Sequence, residues 1–200
     1  MLKLGVLDQV HIGEGLDAHE ALQGSTRLIR EAERLGYRRY WVSEHHGFRS
    51  IAFASPEVLI AHLAAHTGRI RVGAGGIMLP HYSAYKVAEQ FRLLEALHPG
   101  RIDLGLGRAP AGPPLAVRAL RQDSQFDERY YPQQVLDLIG YLYEAMPPGH
   151  PSRGCSPRRP YRALRKSGCS APAPKAPGWP RGSAPPTLCR LFRHARRTGG

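Results

Sequence analysis

The stretch IRVGAGGIMLPHYSAYKVAEQFRLLEALHPGRIDLGLG, residues 70–107, reads as strand, helix and strand in that order. Ile70-Arg71-Val72-Gly73 is a short β-branched run that passes into a glycine cluster, the pattern of a strand and the turn after it. From Ser83 to Leu97 the apolar residues Val87, Phe91, Leu94 and Leu97 recur at spacings of three and four, one face of a helix, and Gly100 terminates it. Ile102-Asp103-Leu104-Gly105-Leu106 is the second strand. Two strands joined through a helix lie parallel, with a right-handed crossover.

Upstream the alternation repeats. Leu2 to Leu7 reads as a strand stopped by Asp8. Ala18 to Leu35 carries Ala21, Leu22, Leu28, Ile29, Ala32 and Leu35 on one helical face, and Gly36 ends it. Tyr40-Trp41-Val42-Ser43 is aromatic and β-branched, hence a strand. Ser55-Pro56-Glu57 opens a helix running towards Gly68: Ser55 is expected to cap, Pro56 suits the first position, and Glu57 complements the dipole. Downstream, Phe126 to Met146 reads as a last helix, with Val135, Leu136, Ile139, Leu142 and Tyr143. A doubly wound sheet and a (β/α)₈ barrel both fit such a pattern. The first βα turn lacks the closely spaced glycines of a dinucleotide-binding unit. Four units between residues 2 and 146 match the pace of a barrel of ~250 residues. The expected fold is therefore α/β, of the (β/α)₈ TIM-barrel family, with about four N-terminal βα units.

Composition divides the chain near residue 150. Residues 151–200 hold ten Arg and two Lys, no acid, nine of the 18 prolines and all three cysteines (Cys155, Cys169, Cys189). The remaining 16 basic residues face 16 acidic ones, so residues 1–150 are formally neutral and the whole +12 sits in the last fifty. Residues 1–150 are expected to form the barrel part and residues 151–200 a disordered basic tail, since no helical or strand period is visible there. The body contains no cysteine and offers neither a disulfide framework nor a Cys-based metal site. Met1 to Val10 is broken at Asp8 and is too short for a signal peptide, and no stretch approaches the ~20 apolar residues of a membrane span. The expectation is a cytoplasmic protein without membrane partners.

The chemistry-bearing residues follow strands two, three and four, which in a parallel barrel places them together on the C-terminal rim. Glu44-His45-His46 can supply a base, a proton shuttle or hydrogen bonds to a polar ligand; an exposed polar loop is the plain alternative. Adjacent histidines on extended backbone point to opposite faces, which argues against a two-histidine metal site. Gly73, Gly75 and Gly76 allow unusual backbone or a close approach to a flat ligand, against an ordinary βα turn. Gly105 and Gly107 do the same beside Arg108, which can pair with a phosphate or equally neutralise Asp103 or a carboxylate on the rim. Together they describe a flat anionic ligand over the barrel mouth. Flavin mononucleotide fits, as would a phosphorylated sugar.

The segments Tyr40 to His46, Gly75-Gly76-Ile77-Met78-Leu79-Pro80-His81-Tyr82-Ser83, and Pro99-Gly100-Arg101-Ile102-Asp103-Leu104-Gly105-Leu106-Gly107-Arg108-Ala109-Pro110 strongly resemble the bacterial luciferase-like monooxygenases. The resemblance runs from about Leu2 to about Pro148. It implies reduced FMN delivered by a transient flavin reductase, with dioxygen and a small organic substrate as co-reactants. It assigns His45 and Glu44 to catalysis, and His46, Ala74, Gly75, Gly76, Gly107 and Arg108 to the cofactor, with no metal. It further implies a non-prolyl cis peptide at Gly75–Gly76, phosphate binding by Arg108, and a homodimer for a full-length protein. Where luciferases carry a reactive cysteine before that arginine, Gly107 stands here, which counts against light emission with a long-chain aldehyde. A deazaflavin-dependent oxidoreductase of the same fold is the alternative. A nucleic-acid-associated protein acting through the basic tail is another, less favoured than the enzyme.

Arg/Pro/Ala/Gly-rich text is what a GC-rich gene yields out of frame. Back-translating Arg165 to Leu188 and shifting by two nucleotides permits EVWLLGSSAQSARLAAGLGAPYAL, which reads as a strand, a Gly-Ser-Ser turn and an amphipathic helix. It resembles that family's next βα unit. The expectation is a frameshift or sequencing error between about Met146 and Arg165.

Overall fold

The structure is a computed structural model that describes residues 3–121, 128–155 and Pro157. The elements are β1 Gly5–Asp8, α1 Ala18–Arg34, β2 Arg39–Val42, α2 Pro56–Ala65, β3 Arg71–Met78, α3 Ala84–Leu97, β4 Ile102–Gly107, α4 Pro114–Arg121 and α5 Tyr131–Tyr143. Single 3₁₀ turns precede α3 at Leu79–His81 and α5 at Glu128–Tyr130.

Local chemistry sets the helix ends. Asp17 Oδ1 accepts the Glu20 N–H at 2.8 Å while Glu20 Oε2 accepts the Asp17 N–H at 2.9 Å, a reciprocal box that starts α1. Gly36, at φ +81°, ends it as expected. Ser83 Oγ accepts from the Lys86 N–H to start α3. Ser55 does not cap α2 with its side chain; its carbonyl accepts the Val58 and Leu59 N–H groups instead, at 3.2 and 3.3 Å.

All strands are parallel and ordered β1-β2-β3-β4. A right-handed crossover that always advances in one direction puts every helix on the same face of the sheet. A doubly wound sheet reverses direction at a switch point; here none occurs, so these are four consecutive units of a barrel wall. Tyr40, Val42, Val72, Ala74 and Leu104 point to the helix layer and are fully buried with Ile29, Ile60, Leu63 and Phe91. The other face is less enclosed at β1 and β2, where Leu7 is 59% exposed and Trp41 half-buried.

At the strand starts, opposite the rim, Asp103 accepts from Arg39 Nε at 2.9 Å and from Arg71 Nη2 at 2.6 Å. Arg108 lies beyond the other end of β4, roughly 16 Å away at ~3.3 Å per residue. The reading of Arg108 as the counter-ion of Asp103 therefore fails.

Two expectations are corrected in extent. The glycine cluster expected to form a turn after strand three lies inside β3, which runs to Met78. Its glycines let two backbones meet: a Cβ at Gly73 would fall 2.4 Å from Asp103 O, and one at Gly76 would fall 2.8 Å from Gly105 O. The β3–β4 ladder is irregular between Ala74 and Ile77. The last helix begins at Tyr131 rather than at Phe126, which lies outside the described residues. Helix α4 was not anticipated; its eight residues carry a short apolar face, Ala116, Val117 and Leu120, that is only half-buried, and none of its residues is fully buried. The tail expected to be disordered lies, after Cys155 and apart from Pro157, outside the described residues.

Candidate functional site

The strand ends bring the three expected segments to one rim. Ile77 pairs with Leu106 and Met78 with Gly107, while the Met78 N–H donates to Glu44 Oε2 at 2.8 Å. Glu44 is fully buried. Its Oε1 also accepts from Tyr82 Oη at 2.7 Å and lies 2.6 Å from His46 Nε2. One carboxylate thus ties the exit of β2 to the end of β3 and to the turn before α3. Burial, and then Glu44 itself, push the Tyr82 hydroxyl well above its ordinary range, so it remains a donor.

His45 and His46 point to opposite sides, as extended backbone requires. His46 is buried on Glu44, whereas His45 is half-buried, with Nδ1 3.3 Å from Ser43 Oγ and its ring edge-on to Phe48 at 6.1 Å. The Gly75–Gly76 peptide is cis, as the family resemblance implied. Gly75 is half-buried, and the atoms nearest a Cβ there would be those of the Trp41 side chain, at ordinary van der Waals distance from 3.4 Å. Gly76 and Gly107 are buried, and Ala74 sits in the helix-facing core, so these three can offer a ligand backbone at most. A Cβ at Gly107 would fall 2.5 Å from Met78 Sδ, a flexible neighbour. Arg108 is exposed.

His81 and Tyr82 stand in the quoted motif, five and six residues after Gly76, but sequence reasoning gave them no role of their own. His81 Nε2 lies 2.7 Å from Pro110 O, and Arg121 Nε donates to His81 Nδ1 at 3.3 Å. Burial holds the His81 imidazole below its ordinary range, and the Arg121 charge acts in the same direction. Among the described residues no group of three His, Cys, Asp or Glu side chains is placed to hold a metal. No helix there is long and apolar enough to cross a membrane.

The family model of the luciferase-like monooxygenases matches residues 2–131. The chain belongs to this family. Relatives include the Bacillus subtilis protein YwcH, 58% identical over 72% of this chain and 43% of its own length. The Bacillus subtilis N-acetyl-S-alkylcysteine monooxygenase is 46% identical over 79% of this chain and 47% of its own length. Among solved structures, apo-MsnO8 superposes with a TM-score of 0.72 at 43% identity, covering 82% of this chain and 48% of that one. The oxygenating constituent of 3,6-diketocamphane monooxygenase from Pseudomonas putida, solved with FMN, shares the fold at a TM-score of 0.63 and 20% identity, over 73% of this chain and 40% of that one. The chain thus spans under half the length of the relatives it matches, and it corresponds to one half of a luciferase-like barrel.

Proposed function

We propose that this chain carries the N-terminal half of an FMN-dependent monooxygenase site. The observation that supports it is the make-up of the rim. Gly75 presents side-chain-free backbone beside the Trp41 ring, with a half-exposed imidazole, His45, and an exposed guanidinium, Arg108, on the flanking strand exits. That set fits a flat ring system with an anionic end. Arg108 would hold the phosphate as a bidentate donor, Gly75 would admit the ring, and His45 would face it with an imidazole able to accept or donate a proton. Glu44 would support the site by holding the His46 ring, Tyr82 and the Met78 backbone in place.

When bound, reduced FMN supplies the two electrons with which one oxygen atom of O₂ enters the substrate and the other leaves as water. The chain's part is to bind, to orient and to position a proton at His45. In this reading a flavin reductase is the transient partner that delivers the reduced cofactor, and the similarity to an N-acetyl-S-alkylcysteine monooxygenase makes a small thioether the first substrate to assay.

Titrating the chain with FMN while following flavin fluorescence tests the reading. Saturable binding by wild type, weakened at least tenfold by Arg108→Ala (~1.4 kcal/mol), is expected. A chain that binds a deazaflavin but not FMN would move the assignment to deazaflavin-dependent hydride transfer. Binding of neither would overturn the reading. Steeply salt-dependent nucleic-acid binding that disappears on removal of residues 151–200 would favour the basic-tail alternative.

A further inference from the structure

We propose that His81 is the positioning residue that holds the loop after β4, Arg108 to Gly112, in its phosphate-binding arrangement. The proposal rests on the reading of Arg108 given above and extends it to a residue that no catalytic or cofactor assignment covers. The loop hangs on the exits of β2 and β3. The Ala111 carbonyl accepts the His46 N–H at 2.8 Å, and the neighbouring Pro110 carbonyl lies 2.7 Å from His81 Nε2. Ala111 takes φ +51°, a left-handed conformation that costs a residue with a Cβ and persists only where contacts enforce it. Gly112 packs so closely that a Cβ would fall 2.8 Å from His46 O.

The chemistry of His81 follows from its two contacts. A carbonyl at Nε2 requires an N–H there, and the Arg121 Nε–H directed at Nδ1 requires a lone pair there. The ring is therefore neutral with its proton on Nε2, and burial supports that form. His81 thus links the phosphate loop to α4 on one side and stacks edge-on against His46, 5.6 Å away, on the other. His46 is itself fixed by the buried Glu44. This series runs from the carboxylate hub to a carbonyl two residues beyond Arg108.

FMN and riboflavin differ in the phosphate alone, so their affinity ratio isolates the loop. Both are titrated into wild type, His81→Ala, His81→Gln and Arg108→Ala. Wild type is expected to prefer FMN and Arg108→Ala to lose the preference. His81→Ala should weaken FMN about tenfold, ~1.4 kcal/mol, while leaving riboflavin unchanged. His81→Gln, which keeps an N–H of similar reach, should recover most of it. An unchanged ratio in His81→Ala, an equal loss for both ligands, or no recovery in His81→Gln would overturn the role. A wild type with no preference for FMN would overturn the phosphate reading as well, which separates the two failures.

Discussion

At the scale of single residues, Glu44 shows how a chemistry-bearing motif can serve as a support. Its carboxylate is fully buried, with Met78, Tyr82 and His46 around it. Removing a buried acceptor strands its donors, each costing ~1–3 kcal/mol. Glu44→Ala should therefore lose at least ~3 kcal/mol in urea unfolding, and Tyr82→Phe, which removes one donor, about 1.5 kcal/mol. If Glu44→Ala unfolds at the wild-type midpoint, the hub does not hold the rim. The glycines make a second test. Gly76→Ala drives a Cβ into the Gly105 backbone and should cost ~2 kcal/mol or more, whereas Gly75→Ala comes no nearer than 3.4 Å to the Trp41 side chain and should stay within ~1 kcal/mol. Gly75→Ala should instead weaken flavin binding, so equal unfolding midpoints for the two variants would count against this division of roles. The residue types at the rim were legible in the sequence because strand ends of a parallel sheet share one face. Which glycines serve a neighbouring strand was not, because that depends on a register absent from any local pattern.

At the scale of elements, periodicity located four strands and four helices, since each buries a stripe against the next layer. It passed over α4, a helix of two turns with no fully buried residue, and ended strand three at the glycines, because a glycine run normally marks a turn. Joins between elements are equally invisible to periodicity. Glu33, near the end of α1, accepts the backbone N–H groups of Gly68, Arg69 and Ile70 at 3.0, 2.5 and 2.8 Å, pinning the loop that leads into β3. Burial alone would raise this carboxyl; the three N–H donors, with the Arg69 charge, outweigh it and hold it below the usual range. A carboxyl lowered on folding binds fewer protons in the native state than in the unfolded one. Its contribution is therefore fully present above the ordinary glutamate pKa and is lost as pH falls through the lowered value. Glu33→Gln should unfold more easily than wild type at neutral pH, and the difference should shrink on acidification below the glutamate range. Measured by urea midpoints at several pH values, a constant difference would show that the carboxylate charge is not what holds the loop.

At the scale of the whole molecule, the question is what closes the barrel. Among the described residues β1 pairs only with β2 and β4 only with β3, and the inner face leaves Leu7 59% exposed. Unpaired parallel edges and an open apolar face are the conditions for self-association, and a closed wall of this kind needs eight strands. The text from residue 151 onward carries the entire net charge and no acid. Its alternative reading over Arg165 to Leu188 has instead the strand, Gly-Ser-Ser turn and amphipathic helix of one further βα unit. We propose that the natural reading frame changes between about codons 146 and 165. Resequencing the coding DNA across codons 140 to 200 decides the matter. A one- or two-base insertion or deletion is expected, and the repaired chain should stay monodisperse at concentrations where the present one self-associates, and should bind FMN more tightly. An unchanged frame would make the basic segment authentic. The four-unit wall would then have to be stable, and to bind FMN, without a second half.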